Sequence, residues 1–177
     1  LNVPVAYWLY SKATSVDIQY HIHANLTDVK PNVQVEFDYR SDNNGLITLR
    51  YENDSWGDKD IFNCIKELDV IPEPEYVRFL PDSNRILIKS KPNINSKIRY
   101  QIAQDYHGLP MNERRYRPIV DSSYFHILGM RLFMIPEGVF SSDSSLAKIR
   151  IRYSNKHNNG IFHSSFGKRT VQNIEVT

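Results

Sequence analysis

The sequence predicts a mainly β protein, an antiparallel β-sandwich with at most one or two short helices. Its 177 residues are 41% hydrophobic and include eleven Tyr and eight Phe, and aromatic residues favour pleated, half-buried surfaces. Alternating apolar and polar residues also recur in about eight short runs, at the spacing typical of sandwich strands. A chain of this length suits a single domain, which we expect over residues 1–177.

The strand runs follow one another closely along the chain. Every second residue is apolar over residues 16–26, and the pattern returns over residues 33–39 after a turn, so these two runs are expected to pair antiparallel. A third run, residues 46–51, follows the turn sequence SDNNG. Further runs cover residues 85–89, 98–102, 124–128, 132–135 and 147–153.

One segment has apolar residues at helical spacing. It follows Asp60, a plausible helix N-cap, and its apolar positions are Ile61, Phe62, Ile65 and Leu68. The same residues could instead form a pair of strands. The prolines of residues 71–76 predict a rigid, extended connector, and residues 105–124 are predicted to form a long loop.

Composition narrows the classes of partner and compartment. The net charge is only +2, so no global field favours nucleic acid, and no apolar run approaches the ~20 residues of a membrane helix. Cys64 is the single cysteine, which excludes an internal disulfide and a zinc site built from cysteines alone. The chain begins at Leu1 without a leader-like pattern, so we expect a processed, periplasmic or secreted protein, with a cytoplasmic location left open.

Known catalytic motifs are missing from the sequence. No histidine is followed by Glu, so the His-Glu-x-x-His helix of zinc peptidases does not occur. The glycine-rich phosphate loop and the Gly-x-Ser-x-Gly elbow are absent as well. We therefore predict no catalytic residue and no cofactor in this chain.

A metal site is a weaker alternative. His21 and His23 lie two residues apart on one predicted strand face, where two imidazoles can reach one ion, with Glu36 or Asp38 as a third ligand. Two solvated histidines on a polar strand face are the more common arrangement, so we predict no metal.

Five residues form the predicted interaction surface. Arg114, Arg115 and Arg117 alternate with Tyr116 in the long loop, a composition suited to an acidic partner or a phosphate. Trp56 stands in the polar turn between residues 53 and 58. We expect this indole to be buried between the ends of the sheets, and the alternative is an exposed aromatic that docks a partner or a sugar ring.

The order of these pieces resembles the N-terminal domain of the glycyl aminopeptidase family, metallopeptidases with a thermolysin-like catalytic part. The first phrases that carry the resemblance are Leu49-Arg50-Tyr51, Trp56-Gly57 and Ile65-Lys66-Glu67-Leu68. The later ones are Tyr100-Gln101-Ile102-Ala103-Gln104-Asp105, residues 124–129 and Leu132-Phe133-Met134-Ile135-Pro136-Glu137-Gly138. The likeness spans residues 16–153, and it departs from the family pattern near Glu52, where the proline is missing.

The resemblance implies a noncatalytic domain that packs on a catalytic domain of the same polypeptide and shapes access to its peptide substrate. The family's zinc-binding helix would lie beyond Thr177, so zinc is expected only in that catalytic domain. The alternative is a standalone secreted module that binds carbohydrate or protein. Downstream sequence distinguishes the two.

Overall fold

The computed structural model describes residues 17–54, 56–106, 116–140, 148–155, 161–164, 167–170 and 173–176. In these residues the protein is mainly β, with antiparallel sheets, one short α-helix and a few 3₁₀ turns, which confirms the predicted fold class. None of the helices in these ranges is long and apolar enough to span a bilayer. Arg114, Arg115 and part of the run at residues 147–153 lie outside the described residues.

The strands of the described residues are, in chain order, β1 (Asp17–Asn25), β2 (Asn32–Arg40), β3 (Leu46–Arg50), β4 (Ile65–Ile71), β5 (Tyr76–Leu80), β6 (Arg85–Lys89), β7 (Asn95–Ile102), β8 (Ile119–Val120), β9 (Phe125–His126), β10 (Ile135–Pro136), β11 (Lys148–Asn155), β12 (Ile161–Ser164), β13 (Gly167–Thr170) and β14 (Asn173–Val176). The helix α1 covers Gly129–Leu132, and 3₁₀ turns cover Ile61–Cys64, Pro81–Ser83 and Glu137–Phe140.

Two larger sheets make up the body of the domain. The six-stranded sheet has the order β14-β11-β1-β2-β7-β4, and the four-stranded sheet has the order β10-β3-β6-β5. The predicted antiparallel pairing of the first two runs is confirmed, with Ile22 opposite Val35. The pair β1 and β11 is parallel.

The inward faces of both sheets form one hydrophobic core. Alternation of apolar and polar residues accounts for this face: Ile18, Tyr20 and Ile22 of β1 are buried while the residues between them are half-buried on the other side. Ile86 and Ile88 of β6 supply the facing layer. The sandwich is therefore built by the period-two pattern of the sequence.

The segment from α1 to Met134 enters this core with Arg131, Leu132 and Met134 buried, and its backbone has no sheet partner. Three tyrosine hydroxyls bond to it instead. Tyr51 donates to the carbonyl of Arg131 (2.7 Å), Tyr100 to that of Leu132 (2.6 Å) and Tyr20 to that of Met134 (2.8 Å). Tyr100 also accepts a bond from the backbone N–H of Met134 (3.0 Å). Since buried backbone groups need partners, these bonds allow a non-strand segment to cross the core.

Several predicted elements differ in the structure. The helix expected after Asp60 is a single 3₁₀ turn followed by strand β4, and Asp60 has a left-handed backbone with φ 56° and no capping bond from its side chain. The strand expected over residues 132–135 is the end of α1 followed by a two-residue strand. Strand β5 was not predicted, because its sequence, YVRFL, does not alternate between apolar and polar residues.

Removing the Tyr100 hydroxyl tests the buried bonds. Tyr100 is fully buried, so Tyr100→Phe leaves the Leu132 carbonyl and the Met134 N–H without a partner. We expect a loss of about 1–3 kcal/mol in the free energy of unfolding, measured by urea denaturation. The matched control is Tyr124→Phe at an exposed tyrosine, which should change stability by less than about 0.5 kcal/mol. Equal effects of the two substitutions would contradict the assigned bonds.

Candidate interaction surface

The turn that carries Trp56 is fixed by asparagine side chains. The Asn84 side-chain oxygen accepts bonds from the backbone N–H groups of Asn53 (2.8 Å) and Asp54 (3.1 Å). Asn53, itself buried, accepts a bond from the N–H of Phe62 (2.8 Å). Short amide side chains of this kind replace regular backbone bonding in turns. The turn is consequently tied at both ends to the body of the domain.

Trp56 itself is 61% exposed, so the expectation that it is buried between the sheets is wrong. Its backbone lies in the left-handed region with φ 58°, and Gly57 follows with φ 87°. The exposed indole thus stands at two successive positive φ values. A bulky residue in the left-handed region is uncommon, and such strain is concentrated at functional sites.

Tyr116 packs against Trp56 from the second segment of the predicted surface. The two ring centroids are 5.4 Å apart and the rings meet edge to face at 83°. We call Trp56 and Tyr116 the aromatic patch. The structure therefore brings together two residues of the predicted interaction surface that are sixty positions apart in the sequence.

Arg117, the neighbour of Tyr116, anchors the aromatic patch to the body of the domain. Its guanidinium forms an ion pair with Asp105, in which both side chains are largely buried, and it donates to the backbone carbonyl of Lys59 (2.7 Å). The hydrogen bond to Asp105 raises the pKa of Arg117 above its usual value. Arg117 was predicted to face a partner, but its contacts show that it joins the Trp56 turn to the chain around Asp105.

Two further charged groups near Arg117 and Asp105 lie in the interior of the protein. Arg131 of α1 is fully buried and donates to the backbone carbonyl of Glu52, and burial lowers its pKa. Asp58 is also buried, and its carboxylate interacts electrostatically with both Arg117 and Arg131. Within the described residues, Asp58 Oδ2 has no hydrogen-bond partner. No pattern in the sequence identified Arg131 or Asp58 as buried.

Cys64 lies beside Asp105 and is fully buried. Burial raises the pKa of its thiol, and a hydrogen bond to Asp105 adds to this effect. A thiol with a raised pKa is a poor nucleophile and a poor metal ligand. Cys64 therefore belongs to the packing of this region rather than to reactive chemistry.

The histidine pair has partners other than a metal. His21 Nε2 is 2.7 Å from the side chain of Gln19, and His23 Nδ1 contacts Ser154 Oγ. Glu36, the proposed third ligand, binds Lys97 (2.7 Å) and Arg99 (2.8 Å). Among the described residues no three His, Cys, Asp or Glu side chains gather in a way that could hold a metal ion.

The fold and this surface define a two-sheet, mainly antiparallel β domain with an aromatic patch at one end. No protein-family model matches the chain, and no curated protein sequence matches it. Among solved structures, the fold resembles part of the aminopeptidase N family protein from Idiomarina loihiensis, with a TM-score of 0.50 and 15% sequence identity. The likeness covers 78% of this chain and 22% of that protein. At this identity the match shows a shared fold, and the chain spans about a fifth of the length of its neighbour.

Protonation of His23 should destabilise the domain. Burial lowers the pKa of His23 below 6.5, an effect that Glu36 opposes. The folded state therefore binds fewer protons here than the unfolded chain, and this contribution to stability is present above pH ~6.5 and lost as the pH falls below it. We expect the free energy of unfolding to decrease less between about pH 7.5 and about pH 5.5 in His23→Gln than in the wild type. Urea denaturation across this range measures the difference, and identical decreases in the two proteins would contradict it.

Proposed function

We propose that this chain is the noncatalytic N-terminal domain of a metallo-aminopeptidase of the glycyl aminopeptidase type. In this role it packs on the catalytic domain of the same polypeptide and shapes access to the cleft that receives the peptide substrate. The observation that supports the proposal is the fold shared with about a fifth of an aminopeptidase N family protein. The resemblance of the chain's phrases to the glycyl aminopeptidase family supports the finer assignment.

The aromatic patch is the surface that we assign to the contact with the catalytic domain. Trp and Tyr dominate the energetic centres of protein interfaces, because they bury a large area with few rotatable bonds. Here the ion pair of Arg117 and Asp105 fixes the position of the patch before any partner arrives. A surface that is already ordered loses little entropy on binding.

A second candidate function is a standalone secreted module that binds carbohydrate or protein. The exposure of Trp56 favours it, since an exposed indole can stack on a sugar ring as well as on a protein surface. This module would act without a catalytic domain. The two functions differ in whether the native protein also contains a catalytic domain.

The native protein that contains this chain provides the test. We expect its sequence to continue into a His-Glu-x-x-His helix with a later Glu ligand, and the intact protein to release amino-terminal residues from peptides. The 177-residue chain alone should release none, with or without added zinc. A native protein that lacks the zinc helix would contradict the peptidase role and leave the binding module.

Calorimetry of that intact protein then tests the patch. We expect the β domain and the catalytic domain to unfold in one coupled transition, which Trp56→Ala separates into two because it removes a central interface contact. Tyr124→Ala at another exposed aromatic is the matched control and should keep one transition. A single transition in Trp56→Ala would contradict the assigned contact.

A further inference from the structure

The outer face of the six-stranded sheet carries a row of uncharged polar side chains across four neighbouring strands. Ser154 of β11 lies opposite His23 of β1, His23 opposite Gln34 of β2, and Gln34 opposite Gln101 of β7. Adjacent strands are about 4.8 Å apart, so the row is ~14 Å long. This is the length of roughly four residues of an extended chain.

The neighbouring row on the same face is different in kind. It contains Arg152, His21, Glu36, Arg99 and Asp69, again in register across the strands. Glu36 is bonded to Arg99 of this row and to Lys97 beside it, and these bonds outweigh the effect of burial and lower its pKa. Glu36 and Arg99 of the charged row thus pair with each other within the sheet. Gln34 in the uncharged row makes no side-chain hydrogen bond to the described residues, so its amide can bind a ligand. Gln101 Nε2 donates to Glu67 Oε2 (2.6 Å).

A groove runs along the uncharged row. One part, of about 430 Å³, is lined by His23, Gln34, Gln101 and Ser154 together with Asn25 and Asp28 of the first turn. The second part, of about 1030 Å³, shares Asp28 and Gln101 with the first, so the two parts adjoin. Its apolar lining comes from Val29, Pro31, Ile65, Ala103 and Val120.

Val29 is the most unusual residue of this groove. It stands at the tip of the turn between β1 and β2, and its side chain is fully exposed. The turn forms one side of the groove, so an apolar group is offered to whatever lies in it. The charged residues beside it, Asp28, Lys30, Lys66 and Glu67, carry two charges of each sign and leave the groove without a net charge.

We propose that this groove binds an extended, uncharged polypeptide segment. Glutamine amides carry two donors and an acceptor, so Gln34 can bond to both the N–H and the C=O groups of a peptide backbone. Gln101 has one N–H bonded to Glu67, and its side-chain oxygen and second N–H remain for the peptide. The apolar part beside Val29 then receives side chains of the same segment. Backbone bonds give affinity and side-chain pockets give selectivity, as in other modes of peptide recognition.

The lining distinguishes this ligand from other classes. No Phe, Tyr or Trp side chain among the described residues lines either part of the groove, so a sugar ring lacks the large flat surface on which it usually stacks. The balanced charges do not select an anion or a cation. The groove is also separate in its residues from the aromatic patch, and the inference does not require that a catalytic domain be present.

Nuclear magnetic resonance of the ¹⁵N-labelled 177-residue chain tests the proposal. The probe is a ten-residue peptide of Ala, Gln, Leu and Ser with an acetylated amino terminus and an amidated carboxyl terminus. We expect saturable shifts of the side-chain amide signals of Gln34 and Gln101. The double variant Gln34→Ala with Gln101→Ala should raise the Kd about tenfold or more, because it removes the bonds to the peptide backbone.

Two further variants make the result specific. Val29→Asp alters a fully exposed side chain, so it should fold normally and still weaken binding. Asp38 lies on the same face of β2 as Gln34 but outside the groove. The control variant Asp38→Asn should therefore leave the Kd within about twofold of the wild-type value. Three results would overturn the proposal: no saturable shift, an unchanged Kd in the double variant, or shifts produced by maltohexaose and not by the peptide.

Discussion

The structure depends on satisfying the backbone of one non-strand segment, residues 129–134, in which Arg131, Leu132 and Met134 are buried. This segment crosses a core formed by two sheets, where water is absent and unpaired carbonyls are costly. Tyrosines of both sheets supply its hydrogen bonds, with Tyr20 and Tyr100 on the six-stranded side and Tyr51 at the end of β3. Each hydroxyl also fixes the spacing between its own strand and the segment. These three bonds therefore favour the observed arrangement of the layers, because a different separation would break them.

The same segment supports the aromatic patch. Arg131 lies within it and donates to the backbone of Glu52, at the start of the Trp56 turn. Asp58 interacts electrostatically with both Arg131 and Arg117, so the charged groups beneath the patch are connected to the core. The left-handed backbone of Trp56 is maintained because hydrogen bonds with Asn84 and Arg131 fix the chain just before it. An exposed aromatic pair on a rigid base is well suited to contact a catalytic domain, which is the role we propose for it.

Period-two alternation was sufficient to predict the fold class and the main strands, since it reports which face of a strand is buried. It could not predict that residues 61–64 form a 3₁₀ turn, because a short apolar run fits a helix and a strand equally. Local composition singled out Trp56 and Tyr116 as candidate interaction residues, but their contact with each other depends on tertiary structure. The exposure of Trp56 was mispredicted because statistics of burial describe an average tryptophan and not one at a left-handed turn. The row of Ser154, His23, Gln34 and Gln101 depends on strand order, which the alternation pattern does not contain.

The most direct test of this account is native-state hydrogen exchange at the backbone N–H of Met134, which bonds to Tyr100. If the buried segment determines how the two sheets pack, this amide can exchange only when the whole domain unfolds. Its free energy of exchange should then equal the global free energy of unfolding from urea denaturation. A much smaller value, with the amides of β2 and β7 still fully protected, would show that the segment opens by itself. In that case the sheets would hold their arrangement without it, and the central claim would be wrong.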